Sequence, residues 1–170
     1  MQRSFTLASA LALATLAIPS GAADRAQSRL QGYSEVPAIA TAANGRFRAT
    51  IREHDGVIDY ELSYTGLEGE VRQAHIHIGQ TSVNGGVMVF LCQTTFNTDP
   101  TGLAPTCVQD GTVTGTLTAA NVIGPAGQGV DPAEFAELVR AIRSGVAYAN
   151  VHTAKYASGE VRGQISLKNE

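Results

Sequence analysis

The stretch that decides the fold is a strand–turn–strand pattern, and residues 46–64 read RFRATIREHDGVIDYELSY. An apolar residue stands at every second position from Phe47 to Ile51, and again from Ile58 to Tyr64. A period of two is typical of a strand with one buried face. The Asp55-Gly56 pair between the halves is typical of a tight turn. These residues predict an antiparallel hairpin.

Strand patterns recur along the chain. Residues Val161–Leu167 alternate, Gly111–Thr118 is rich in threonine, and Val87–Leu91 is a nearly unbroken apolar run. Such a run is expected of a strand buried on both faces. We therefore predict a mainly β fold, an antiparallel, Greek-key-like β-sandwich or barrel of about seven or eight strands.

One segment departs from this pattern. Asp131-Pro132-Ala133-Glu134 offers an N-cap, a first-turn proline and a reciprocal glutamate. From Phe135 onward, apolar residues fall at i, i+3, i+4 and i+7, and Gly145 is placed to end a helix. The sequence predicts a helix over about 132–144, inserted before the last two strands.

The N-terminus of the 170-residue chain has the pattern of a targeting signal. Arg3 precedes the apolar stretch Phe5–Ile18, which small residues and a proline follow. This predicts a secretory signal peptide over residues 1–23 and a single domain over 24–170. The stretch is shorter than the roughly 20 residues of a membrane anchor. We expect a periplasmic or extracellular protein with no membrane span in the mature chain.

The charge excludes one class of partner. The chain holds 12 Lys+Arg and 15 Asp+Glu, a formal charge of −3, and losing Arg3 with the signal leaves −4. A strongly basic nucleic-acid-binding surface is therefore not expected.

Cys92 and Cys107 are the two cysteines. Neither belongs to a CxxC motif, and an exported chain meets an oxidising compartment. We predict a structural disulfide that ties off the irregular loop between them.

The candidate chemistry starts with two histidines in Ala74–Gly79. His75 and His77 stand two residues apart, so on a strand they share one face. Ile76 and Ile78 share the opposite face and belong in the core. We expect both imidazoles to point outward, where a His-x-His pair can present two nitrogens to copper or zinc.

A third imidazole lies near the C-terminus. In Tyr148–His152 the same alternation points Asn150 and His152 outward. If the two strands are neighbours, a three-histidine metal site is geometrically possible. Ring nitrogens spread over more than about 8 Å would rule it out, because no single ion could bridge them. Glu160 and Arg162, with Asn150, are candidates to orient the imidazoles from behind.

Other interpretations stay open. Outward histidines are commonly plain surface residues or members of a polar network. His54, beside the predicted turn, is either solvated or a fourth ligand. The chain has no nucleophile elbow and no paired-carboxylate motif, so the sequence offers little support for an enzyme.

Three motifs, in order, resemble those of the CHRD (chordin) domain family. They are Leu30–Pro37 with its Glu35-Val36-Pro37 triplet, Ala74–Gly79 followed by Asn84–Val87, and Tyr148–Thr153 followed by Gly159–Ile165. The resemblance spans about Gln27–Leu167. The family usually has Gly-Pro where this chain has Gly85-Gly86.

The resemblance implies a bacterial, single-domain, exported member with a β-barrel-like fold. It favours a non-catalytic binding or structural module with an unknown protein or metal-ion partner. The alternative is a transition-metal protein, with copper preferred to zinc, that uses His75, His77 and His152. The His-x-His pair also resembles, more distantly, the copper ligands of Cu/Zn superoxide dismutase. That family's bridging histidine and zinc loop are missing here, so copper binding is expected at most.

Overall fold

The structure, a computed structural model, describes residues 23–168. Apart from Ala23, the predicted signal peptide lies outside these residues, so it stays a prediction together with the domain limits 24–170. Between residues 23 and 168 we find no helix that is long and apolar enough to cross a membrane.

The fold is an antiparallel sheet that is nearly closed into a barrel. Its strands are β1 Asp24–Gln31, β2 Asn44–Arg52, β3 Val57–Thr65, β4 Val71–Ile78, β5 Val87–Cys92, β6 Gly111–Leu117, β7 Ala147–Thr153, β8 Val161–Gln164 and β9 Ser166–Leu167, with one helix, α1 Phe135–Arg143. Eight strands follow the order β5-β4-β7-β8-β1-β2-β3-β6, and the short β9 pairs with β1. The two edge strands, β5 and β6, approach each other. The predicted fold class is confirmed.

The predicted hairpin is formed by β2 and β3. Phe47 pairs with Leu62 and Ile51 with Ile58, and all four side chains are buried. The turn is a short 3₁₀ helix, Glu53–Asp55, followed by Gly56 with φ of 68°. Glycine adopts this left-handed conformation without a steric penalty, so the Asp-Gly turn signal is explained.

The helix starts later than predicted. Ala133 has φ of 69°, which is not helical, and α1 therefore begins at Phe135 rather than near 132. The reciprocal contact survives as part of a turn, because the backbone N–H of Asp131 donates to Glu134 Oε2 at 2.8 Å. Gly145, with φ of 68°, follows the helix as predicted.

The end of the chain differs from the prediction in strand number. The run Val161–Leu167 divides at Ile165 into β8 and β9, so three strands follow the helix instead of two. The Ile165 backbone N–H donates to the Ala147 carbonyl, and the Lys168 N–H donates to the Arg25 carbonyl. The chain thus moves from pairing with β7 to pairing with β1.

The predicted disulfide is confirmed. Cys92 ends β5, and its bond to Cys107 closes a segment with a sequence separation of 15 residues. This segment leads from one edge strand of the sheet toward the other, β6. The bond therefore ties together the region where the barrel comes closest to closing.

Candidate functional site

The three histidines come together because β4 and β7 are neighbours. His75 lies opposite Asn150 and His77 opposite Tyr148 in the pairing of these strands, and His152 lies opposite Gln73. One nitrogen from each ring lies within 4.8 Å of the others. This adjacency, on which the predicted three-histidine site depended, is present in the structure.

The imidazoles are buried, so the predicted outward exposure is wrong. His75 is 2% exposed, and His77 and His152 are each 7% exposed. They do share the face opposite to Ile76, as the alternation required. That face is covered by chain segments, since His77 Nδ1 lies 3.0 Å from the Gly85 carbonyl and His152 Nδ1 lies 2.9 Å from the Ala157 carbonyl.

These contacts determine where the ring protons sit. A carbonyl oxygen only accepts hydrogen bonds, so His77 and His152 each carry a proton on Nδ1. His152 Nε2 is then a lone pair, and it accepts from His75 Nδ1 at 3.1 Å. His75 is therefore also protonated on Nδ1. All three neutral rings have an unprotonated Nε2, the form in which imidazole binds a metal.

Two of these lone pairs have no partner among the described residues. The Nε2 atoms of His75 and His77 are buried and make no hydrogen bond within residues 23–168. A buried polar atom left unpaired costs about 1–3 kcal/mol. Two such atoms beside a third imidazole are the feature of this structure that most needs an explanation.

Burial keeps the rings uncharged. Burial lowers the pKa of His75 to about 2, helped by the charges that His152 and His77 would carry. Burial also lowers the pKa of His77 to about 4, although its hydrogen bond to Gly85 acts the other way. The pKa of His152 is likewise lowered by burial. At neutral pH the cluster presents lone pairs and not positive charges.

Aromatic and cationic side chains fix the rings in place. His77 stacks on Tyr148, with ring centroids 4.8 Å apart and planes 3° from parallel. The guanidinium of Arg162 lies 3.7 Å from the centre of the Tyr148 ring. Phe90 packs edge-on against His75, with centroids 4.2 Å apart. This packing restricts how far the imidazoles can rotate.

Arg162 and Asn150 lie near the histidines, as predicted, but neither is hydrogen-bonded to an imidazole. Arg162 donates to Asn84 Oδ1 and to the Val83 carbonyl, both at 2.9 Å. Asn150 donates to Glu35 Oε1 at 2.6 Å. Their contribution is to hold the covering loops over the site.

Glu160 lies in a different network. Its carboxylate accepts hydrogen bonds from Thr41 Oγ1, the Glu68 backbone N–H and Thr153 Oγ1, at 3.2, 2.7 and 2.8 Å. It is fully buried. The predicted role in orienting an imidazole is therefore not what its hydrogen bonds do, and Glu160 instead fastens loops to the end of β7.

The site also includes a carboxyl group that our sequence analysis did not assign to it. Glu35 lines a cavity of about 210 Å³ together with His77, Tyr148 and Arg162. Burial raises the pKa of Glu35 to about 7, against the opposing effects of Arg162 and of the Asn150 hydrogen bond. The Glu35-Val36-Pro37 motif was the sequence signal that could have identified it.

Two motif glycines are explained by the packing around the site. A side chain at Gly85 would overlap the Ile78 backbone. Gly159 has φ of 129°, and a Cβ there would lie 2.5 Å from Asn150 Nδ2 and 2.6 Å from Glu35 Oε1. These glycines let the covering loops approach the buried polar groups closely.

His54 does not join the cluster. It lies in the turn between β2 and β3 and is exposed, while the cluster that could hold an ion contains His75, His77 and His152. A second cavity, of about 290 Å³, adjoins His152 and is lined by Arg72, Phe96 and Ala157 among others. It gives the cluster a second neighbouring space besides the one at Glu35.

The histidines fit a metal ion with a small adjustment. Nitrogens bound to one ion at about 2.0–2.1 Å lie at most about 4.2 Å apart. One ring nitrogen from each histidine lies within 4.8 Å of the others, which is close to this limit, so binding one ion requires the rings to move toward each other.

Comparison with known proteins identifies the family. No curated protein and no solved structure matches the chain. The CHRD domain family matches residues 26–165, which is nearly the whole chain. The three motifs that suggested this family contribute Glu35, His75, His77, Gly85, Asn150, His152 and Gly159 to the buried polar face. The chain belongs to the CHRD domain family.

Proposed function

We propose that this protein is an exported, non-catalytic CHRD module that binds one transition-metal ion, with copper preferred to zinc. His75, His77 and His152 are its ligands. The membership of the CHRD family is in line with a binding module, and the metal is the ligand that the buried histidines favour.

The observation that carries the proposal is the pair of buried, unpartnered Nε2 atoms on His75 and His77. A metal ion would use both lone pairs at once and remove the cost of leaving them unpaired. His152 would supply the third nitrogen by releasing its hydrogen bond to His75, now 3.1 Å long. The three imidazoles are neutral and carry their protons on Nδ1, so each already has the protonation state that metal binding through Nε2 requires.

The preference for copper follows from the donor set. The three candidate ligands are all imidazoles, and both thiols of the chain are used in the disulfide. Imidazole suits both ions, and at a given nitrogen site copper(II) binds more tightly than zinc. Zinc sites more often complete four ligands with thiolate or carboxylate.

The proposed export is supported by two observations. The apolar pattern of residues 1–23 is typical of a secretory signal. The disulfide between Cys92 and Cys107 is the kind of bond that persists in an oxidising compartment. Fractionation of cells that express the full chain, followed by N-terminal sequencing of the product, would test both export and cleavage near Ala23.

Metal titration of the exported protein is the direct test. We expect one copper ion per chain, and a loss of affinity of at least about 100-fold in His75→Ala and His152→Ala, because removing an outer partner alone costs 10–100-fold. His54→Ala is the matched control and should bind like the wild type. Nitrogen hyperfine coupling in the electron paramagnetic resonance spectrum of bound copper(II) would identify imidazole ligands.

Two outcomes would contradict the proposal. Equal uptake by the wild type and by His75→Ala would mean that copper binds elsewhere on the chain. Tighter binding of zinc than of copper would overturn the proposed preference. Circular dichroism of each metal-free variant shows whether it is folded, so that loss of a ligand is separated from loss of the fold.

A further inference from the structure

The outward face of β1 and β2 gathers positive charge that the metal site does not use. Leaving aside Arg52, which is paired with Asp55 and Asp59, five of the chain's 12 Lys and Arg residues lie on this face or next to it, in a protein whose formal charge is −3. We call them the basic face, and they are Arg25, Arg29, Arg46, Arg48 and Lys168. All five are exposed.

The strand register explains why these cations share one face. Arg25 and Arg29 alternate along β1 with the buried Ala26, Ser28 and Leu30. Arg29 lies directly opposite Arg46, and Arg48 lies opposite Gln27. Lys168 is joined to Arg25 through a backbone hydrogen bond of 2.7 Å. With about 3.4 Å per residue, Arg25 and Arg29 lie roughly 13 Å apart along the strand.

This arrangement does not help the protein fold. Like charges directly opposite each other on neighbouring strands are destabilising, and Arg29 faces Arg46 in this way. An acidic residue at either position would be more favourable for the sheet. The pairing is therefore better explained by a ligand that carries negative charge.

Nearby acidic groups leave most of the basic face unpaired. Asp59 lies 2.6 Å from the Arg52 guanidinium, and Glu61 lies 3.6 Å from Arg48. Within residues 23–168, Arg25, Arg29 and Arg46 form no ion pair. Their guanidinium groups remain available to a ligand.

Two open clefts lie along this face. One, of about 460 Å³, is lined by Arg29, Arg46 and Thr112 among others, and the other, of about 570 Å³, is lined by Arg25, Arg46, Arg48 and Lys168 among others. Because Arg46 lines both, the clefts meet there. A ligand that follows them would pass all five cations, and also the carboxylates of Asp59, Glu61 and Asp110, which line the same clefts.

We propose that the basic face binds an acidic polysaccharide whose repeated uronate carboxylates pair with these cations. The planar guanidinium of arginine matches a carboxylate in a two-pronged hydrogen bond. Each exposed contact is worth little by itself, and one small anion cannot reach groups about 13 Å apart. A polymer with repeated carboxylates makes several contacts at once.

The character of the surface favours a polysaccharide over two other polyanions. Single-stranded nucleic acids use exposed aromatic side chains for base stacking, but Tyr60 and Tyr64, which line the clefts, are only 5% and 2% exposed. Stable attachment to a membrane adds an apolar anchor to basic residues. The exposed large apolar residues are Tyr33, Val83, Phe96, Leu103 and Val108, and the clefts are lined by other residues.

Binding of polygalacturonate to the exported protein, measured by calorimetry, tests the proposal. We expect affinity that falls with added salt and is weakened about two- to fivefold by Arg46→Gln, the loss expected for one exposed ion pair. The double variant Arg29→Gln/Arg46→Gln should lose more. Arg140→Gln, which removes an equal charge from the helix surface, is the matched control and should bind like the wild type.

Stability and competing ligands complete the test. Because Arg29 faces Arg46, we expect Arg46→Gln to unfold at the same temperature as the wild type or higher, so a loss of binding is not a loss of fold. His75→Ala should bind the polymer normally, which separates this surface from the metal site. The proposal is overturned if Arg46→Gln and Arg140→Gln bind equally, or if neutral dextran, oligothymidylate or anionic vesicles bind as tightly as polygalacturonate.

Discussion

Strands β2 and β7 belong to one sheet but bury their residues in different ways. In β2, buried Phe47, Ala49 and Ile51 alternate with residues that face solvent, whereas every residue of β7, including Asn150 and His152, is buried. The neighbours of each strand behave like it: β3 alternates, and four consecutive residues of β4 are buried. The half of the barrel that contains β2 and β3 therefore has one buried face and one solvent-exposed face. The half that contains β4 and β7 has two buried faces.

The difference determines whether a polar side chain needs a hydrogen-bond partner or a ligand within the protein. An arginine on the outer face of β2 is hydrated and requires no partner. A histidine on the covered face of β4 has lost water and requires a hydrogen bond or a ligand. The Nδ1 atoms of His77 and His152 meet this need with hydrogen bonds to backbone carbonyls. The Nε2 atoms of His75 and His77 do not, and this is why they indicate a ligand.

The largest loss of stability should come from Glu160→Ala, a substitution in the half of the barrel with two covered faces. A glutamate in the other half, Glu61, provides the comparison. Glu160→Ala leaves Thr41, Thr153 and the Glu68 N–H without their acceptor, and Glu160 itself is fully buried. We expect it to lower the free energy of unfolding by about 3 kcal/mol or more. Chemical denaturation measures the loss.

Glu61→Ala is the control for that change. Glu61 is half exposed, and its pair with Arg48 spans 3.6 Å, so we expect a change below about 0.5 kcal/mol. Similar losses from the two substitutions would contradict the division of the sheet into a half with two covered faces and a half with one.

Removing the disulfide should have the next largest effect. The double variant Cys92→Ala/Cys107→Ala opens a segment with a separation of 15 residues, and the chain-entropy model gives a loss of about 3 kcal/mol. Denaturation under oxidising conditions measures it. If the wild type treated with a reductant is as stable as the untreated protein, the bond does not contribute.

Acid should destabilise the half with two covered faces. The pKa of His77 is about 4 in the folded protein against an ordinary 6.5. The unfolded chain therefore takes up a proton first, and stability is lost as the pH falls from about 6.5 toward 4, by at most about 1.4 kcal/mol per pH unit for this group. His77→Leu should reduce that loss only in part, because the pKa values of His75 and His152 are lowered too, and the exposed His54→Leu should not reduce it.

The ionisation of Glu35 should make stability depend on pH in the opposite direction to the histidines. Its pKa is raised from 4.5 to about 7 in the folded protein, so its contribution to stability is complete below pH 4.5 and is lost as the pH rises through 7. Glu35→Gln should flatten the decline between pH 4.5 and 7. A wild-type stability that is constant from pH 4 to 8, together with constant stability in both variants, would contradict both assignments.

Among the buried residues, the smallest effect on stability should come from His75, the histidine that matters most for metal. His75→Leu removes an unpaired buried nitrogen but also takes a hydrogen bond from His152. We expect the metal-free protein to change by less than about 1 kcal/mol, while stabilisation by added copper disappears. Thermal unfolding with and without copper measures both. A loss of several kcal/mol without metal would indicate that His75 serves the fold instead.

Much of the architecture was predictable from local patterns. The alternation in β2 and β3, the Asp55-Gly56 turn and the glycine after the helix are short-range signals, and the structure agrees with them. The helix start was missed because Ala133 adopts a left-handed conformation. That conformation belongs to a turn held by its surroundings, and propensity alone favours a helical start there.

The candidate site was only half predictable. Alternation correctly placed His75 and His77 on one face, but it cannot distinguish a face in water from a face under a loop. Glu35 reaches the site from the segment after β1, and its partner Asn150 is 115 residues away in sequence. No periodic pattern relates residues at such a separation.

The sequence by itself determined the strand and turn pattern, the disulfide pairing of two lone cysteines and the CHRD motifs, because each depends on residue type and short spacing. The tertiary structure decided that β4 lies beside β7, that loops cover their polar face and that three buried imidazoles meet there. It also brought Arg29 opposite Arg46. Strand order and loop coverage depend on packing of the whole chain, and burial is what turns an ordinary histidine into an uncharged one that needs a ligand.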